Sequence, residues 1–112
     1  MKHFWLFVSG ICVLAGCSPA TPLSLTNHSG VALENVVVAG AGFEQAVGTI
    51  AAGATTTTHV RPSGESGLKL SFRSGTQTVV LAPQGYFEGG GIYTVRAVVE
   101  PDLSATVNVS LR

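Results

Sequence analysis

Apolar residues in this chain alternate with polar ones in short runs, and no run keeps helical spacing for longer than a turn. Leu68, Leu70 and Phe72 are separated by Lys69 and Ser71 and followed by Arg73. Successive side chains of a strand point to opposite faces, so this run has one apolar face and one solvated face. Within 92–99, Tyr93, Val95, Ala97 and Val99 share a face, and within 104–111 Ala105, Val107, Val109 and Leu111 are predicted inward. Further strands are predicted over Leu23–Thr26, Leu33–Ala39, Phe43–Ile50, Ala54–Val60 and Thr76–Ala82. Turn-forming residues bound them, as in Asn27-His28-Ser29-Gly30, Gly40-Ala41-Gly42, Arg61-Pro62-Ser63-Gly64 and the Ser74-Gly75 hairpin. Four consecutive threonines, Thr55 to Thr58, suit a strand with one wet face and mark a candidate sheet edge.

Seven or eight short strands at roughly 8–12-residue spacing predict an all-β fold, a small antiparallel β-sandwich of the Ig-like or Greek-key type. A closed barrel would use the same signals. The Cys-Trp-Cys core of true immunoglobulin domains is absent, because Trp5 is the single tryptophan and precedes every predicted strand.

The first residues follow another logic. Lys2 and His3 precede an almost unbroken apolar run from Phe4 to Leu14. About eleven residues make a helix of ~16 Å, too short for the ~20 residues that span a bilayer. The run fits the h-region of a secretory signal. Leu14-Ala15-Gly16-Cys17 then closely resembles the lipobox of bacterial lipoproteins. That resemblance implies a diacylglyceryl group on the Cys17 thiol and cleavage between Gly16 and Cys17. It divides the chain into a signal peptide over 1–16, an acylated Cys and short tether over 17–24, and the β-sandwich domain over 25–112. Ser18, where an Asp would signal retention in the inner membrane, implies for a Gram-negative cell an outer-membrane lipoprotein facing the periplasm. Cys12 leaves with the signal, so the mature chain has one cysteine and no intrachain disulfide. A looser resemblance joins Asn27-His28-Ser29-Gly30, Leu33, Asn35-Val36, Gly40-Ala41-Gly42-Phe43, Gly48-Thr49-Ile50, Gly53 and Gly64-Glu65-Ser66 to small secreted bacterial β-sandwich domains. It bears on the fold and carries no activity.

Composition narrows the function classes. Of 112 residues 46% are hydrophobic and only 11% charged, with 14 glycines and six basic against six acidic side chains. There is no basic excess to neutralise phosphates, so a nucleic-acid partner is not expected. Losing residues 1–16 removes Lys2 and leaves the mature chain faintly negative.

Reactive constellations are thin. Gly64-Glu65-Ser66-Gly67 only approximates the Gly-x-Ser-x-Gly nucleophile elbow, since Leu68 stands where the last glycine belongs and a strand follows instead of a helix. The plainer reading is a glycine turn with Glu65 and Ser66 capping backbone groups. His28 and His59 lie far apart in different elements, short of the three or four ligands of a zinc site. No catalytic residue, metal or cofactor is therefore assigned. Phe72 and Tyr93 read as core, and Phe43 as a plug at one end of the sandwich. Tyr86-Phe87-Glu88, between Gly85 and Gly89-Gly90-Gly91, reads two ways. One ring packs inward while the glycines relieve a turn, or the three residues form a loop that contacts a partner.

The expectation is a membrane-anchored lipoprotein acting as a non-catalytic protein-binding or accessory module of the cell envelope. The alternative is an envelope-maintenance lipoprotein without a specific partner. A carbohydrate-binding module or enzyme ranks below both, because the mature chain offers no tryptophan platform.

Overall fold

The computed structural model describes residues 19–112, so the apolar run and the lipobox with Gly16 and Cys17 lie outside the described residues. The alternating runs form nine strands: β1 Thr21–Asn27, β2 Leu33–Gly40, β3 Phe43–Ile50, β4 Thr55–Val60, β5 Ser66–Ser74, β6 Gln77–Val80, β7 Gln84–Phe87, β8 Tyr93–Val99 and β9 Ala105–Leu111. They build two sheets, one ordered β4-β1-β8-β9 and the other β3-β2-β5-β6, with β7 also paired to β5. The fold is a β-sandwich.

Three details differ from the sequence reading. Gln84–Phe87 is a strand where a loop was expected, which brings the count to nine. β1 and β8 run parallel, with Leu23 beside Val95 and Asn27 beside Val99, so the first sheet is mixed. β1 also starts at Thr21, inside the 17–24 stretch read as a tether, so regular structure begins before residue 25. Pro22 is the second residue of β1. It lies ahead of the first residue of β1 registered with β8, at the end of the ladder, where a missing N–H is tolerated.

Period-two alternation decides what is inside. Leu23 and Leu25 of β1, Leu68, Leu70 and Phe72 of β5, and Val95, Ala97 and Val99 of β8 are all buried. Val36 and Val38 of β2 join them, while Val37 between them is half-buried on the outer face. The threonine strand β4 occupies the sheet edge predicted for it. Its edge is not left bare, since Gln45 of β3 hydrogen-bonds the Thr58 hydroxyl across the gap between the sheets. The opposite side is closed by β7. Gln84 donates to the Ala105 carbonyl at 3.0 Å, and Gly85 sits against Val107 and Val109. A Cβ on Gly85 would stand 3.1–3.2 Å from those two valines, and its φ of 77° is one that side chains resist.

The two sheets are tied at one end by a buried amide. Asn27 is fully buried, and its Nδ2 donates to the carbonyls of Val31 at 2.7 Å and Ile50 at 3.0 Å. Its Oδ1 accepts from the backbone N–H of Ser29 at 2.9 Å and from the Ser29 hydroxyl at 2.6 Å. One side chain thus joins β1, the β1–β2 connection and the end of β3. Leaving a buried polar group unpaired costs about 1–3 kcal/mol. Asn27→Ala strands two carbonyls, so it should lower stability by at least ~2 kcal/mol in urea unfolding. Asn27→Asp keeps the shape but turns a carboxylate toward those carbonyls. It should be strongly destabilised at pH 7 and recover partly in acid, as protonation restores a donor.

Candidate functional site

The sequence nominated Tyr86, Phe87 and Glu88, and strand β7 separates them. Phe87 pairs in register with Ser66 of β5, and its side chain is wholly buried. Its ring lies 6.4 Å from that of Phe43, tilted by 47°. Phe43 is partly buried against the core, so the two rings fill one end of the sandwich together. Phe87 is therefore a core residue and is withdrawn as a partner contact. Of the two readings, the one that packs a ring inward is the structural one.

Tyr86 points the other way and is half exposed. A hydrogen bond to the Glu88 carboxylate pushes its phenol up from the ordinary 10.0 to about 12, helped by lost hydration and by the negative charges of Glu65 and Glu88. Both carboxylates disfavour a phenolate beside them. Tyr86 and Glu88 thus present a ring, a hydroxyl and an acid on the surface. These are groups for recognition by contact area and hydrogen bonding.

Ser66 is occupied elsewhere. Its hydroxyl accepts from the Ala41 backbone N–H at 3.0 Å and donates to the Gly67 carbonyl at 2.8 Å. It joins the β2–β3 turn to the start of β5, as the plainer reading of Gly64-Glu65-Ser66-Gly67 proposed for Ser66. His28 and His59 are both exposed, His28 after β1 and His59 on the edge strand opposite Pro22. Among the described residues no three His, Cys, Asp or Glu side chains gather at one place. An open depression of about 320 Å³ lies on the outer face of the second sheet. Its floor is Ala39, Gly40 and Gly67, with Glu65 and Lys69 the charged groups at its margin.

Sequence reasoning missed how the glycine run meets the tether. The segment from Glu88 to Ile92 joins β7 to β8 at the end of the sandwich where β1 begins. Gly91, with a φ of 77°, leaves no room for a side chain because the Pro19 ring lies against it. Gly89 is likewise pressed on the Pro62 carbonyl. The glycines allow the segment to pack beneath the incoming chain. Nearby, the buried hydroxyl of Thr21 has no hydrogen-bond partner among the described residues. Leu111 was expected inward. Its alternation has the inward sense, but it lies past the cover that β7 gives Val107 and Val109, and it is 70% exposed.

No protein-family model matches the sequence, and no curated protein matches it. The NMR structure of a protein from Eubacterium rectale superposes with a TM-score of 0.52, covering 83% of this chain and 90% of that one at 17% identity. At that identity the likeness concerns the fold alone.

The Tyr86–Glu88 pairing has a direct spectroscopic consequence. Ultraviolet titration should find the Tyr86 phenol near 12, and Glu88→Gln should bring it back toward 10 by removing the charged acceptor. An unchanged titration curve in Glu88→Gln would dismiss the pairing.

Proposed function

We propose that the chain is a bacterial lipoprotein whose β-sandwich serves as a non-catalytic binding or accessory module, held by its lipid at the cell envelope. The sequence Leu14-Ala15-Gly16-Cys17, behind a basic start and a short apolar run, carries this reading. Two or three acyl chains give stable anchoring where a single chain gives only reversible binding. By the same resemblance, Ser18 in place of Asp favours the outer membrane, facing the periplasm, if the cell is Gram-negative.

The position of β1 supports the reading. Cys17 stands four residues before Thr21, so the tether spans at most about 14 Å. A domain so held works at the membrane surface. The side chains with chemical potential also suit contact more than turnover, with Ser66 engaged by backbone and Tyr86 and Glu88 exposed or half-exposed.

Two experiments test the parts separately. Cys17→Ser should abolish incorporation of labelled fatty acid and leave an uncleaved or mislocalised precursor. Normal labelling of that variant would overturn the lipobox assignment. For the contact surface, Tyr86→Ala should release a co-purifying envelope protein while leaving the melting temperature nearly unchanged, because the ring is half exposed. A large fall in melting temperature would make Tyr86 a structural residue instead.

A further inference from the structure

The end of the sandwich from which the tether emerges carries exposed apolar side chains. β1 and β8 begin there, β4 and β9 finish there, and the 61–65 and 88–92 connections lie across it. Of the five large apolar side chains that stand exposed among the described residues, Tyr86, Ile92 and Leu111 belong to this end, at 50%, 55% and 70%. Val31 belongs to the opposite end and Val80 to β6. Single exposed apolar residues are ordinary on a protein surface, whereas a cluster calls for a cause.

Ile92 and Leu111 both lie at the tip of the β8–β9 pair. Leu111 is the cross-strand partner of half-buried Tyr93, and Ile92 directly precedes Tyr93. Arg112 fixes the arrangement, its backbone N–H donating to the Ile92 carbonyl at 2.7 Å and its guanidinium to the Gly91 carbonyl at 2.9 Å. The tether enters within the patch, since Pro19 lies on Gly91, next to Ile92. Charged residues of both signs stand at this end, Arg61, Arg112 and the Arg96 guanidinium on Ser110 against Glu44, Glu65 and Glu88. They give it no net attraction to an anionic surface.

We infer that this end of the domain docks directly on a bilayer of zwitterionic lipid, with Ile92 and Leu111 entering the boundary between headgroups and acyl chains. The inference rests on lipid attachment at Cys17. Only Ser18 stands between Cys17 and Pro19, so at most about 7 Å of chain joins the acylated residue to the patch. Acyl chains in the membrane therefore bring Ile92 and Leu111 to the depth of ~5–10 Å at which interfacial apolar groups reside. Tyr86, half exposed on β7, has its hydroxyl on Glu88, as suits a side chain with one apolar and one wet end.

A tryptophan at either end of the sandwich reports the orientation. Trp5 leaves with the signal peptide, so an introduced tryptophan is the only one in the mature protein. The processed full chain carrying Ile92→Trp, and separately Val31→Trp, is reconstituted in phosphatidylcholine vesicles with brominated acyl chains. The strands set the two positions about 25 Å apart. Ile92→Trp should show blue-shifted emission and lose most of it to the bromines, while Val31→Trp keeps its intensity. Leu111→Trp, at the most exposed of these sites, should repeat the Ile92→Trp result and guards against a local folding defect. Equal emission from both ends in vesicles that hold labelled, acylated protein would overturn the docking while leaving the anchor intact. A blue shift without quenching would assign the patch to a second copy or another protein and overturn lipid contact. A chain that takes up no fatty acid would remove the anchor itself, and the inference with it.

Discussion

The Asn27 amide holds one end of the strand to which the rest of the domain is referred. β1 lies inside its sheet, between β4 on one side and β8 on the other, and Thr21, Leu23, Leu25 and Asn27 along it are all essentially inaccessible. Asn27 fastens this strand to Val31 and, across the sandwich, to Ile50 of the other sheet. With no disulfide among the described residues, that crossing takes the place of a covalent staple. It works because all four of its hydrogen bonds are made, and a half-satisfied amide at this depth would harm the fold more than an apolar side chain would. Backbone bonds extend the junction, with the Asn27 N–H on the Ala54 carbonyl and the Gly53 N–H on the Asn27 carbonyl.

Much of this architecture was legible because a strand's period is short and its inward residues are apolar. Leu68, Leu70 and Phe72 announce their face without help from the rest of the chain, and the threonines of β4 announce an edge by lacking apolar bulk. Asn27 was not legible as a junction. An asparagine beside His28, Ser29 and Gly30 reads as turn chemistry, and its partner carbonyls at Val31 and Ile50 are set by tertiary placement. β7 escaped for a related reason. Gln-Gly-Tyr-Phe has a glycine where a strand wants a side chain, and only the approach of Val107 and Val109 shows why glycine is there.

The candidate site follows the same division. Read as a loop, Tyr86 and Phe87 are equivalent neighbours. Read as a strand, they must face opposite ways, and the partner Ser66 on β5 decides that Phe87 is the inner one. Leu111 shows the reverse case. Its alternation with Val107 and Val109 is sound, but alternation specifies a side of the sheet and not what covers that side. Cover is a property of the opposite layer, and β7 has only four residues to give.

Placing the tether on β1 has a mechanical meaning for a lipid-held domain. An edge strand pulled at its end can peel from one neighbour, bond by bond. β1 is bonded along both sides, antiparallel to β4 and parallel to β8, so a pull along its axis loads both ladders in shear at once. Asn27 resists at the far end, where the strand would otherwise slide past Ala54 and Val99. The same layout fixes what the domain can offer outward. With the tether end on the bilayer, strands of seven to nine residues raise the other end by roughly 23–30 Å. The connections 28–32, 51–54, 75–76 and 100–104 then face away from the membrane. Tyr86 and Glu88 stay near its plane, so a partner that takes them must itself lie close to the lipid.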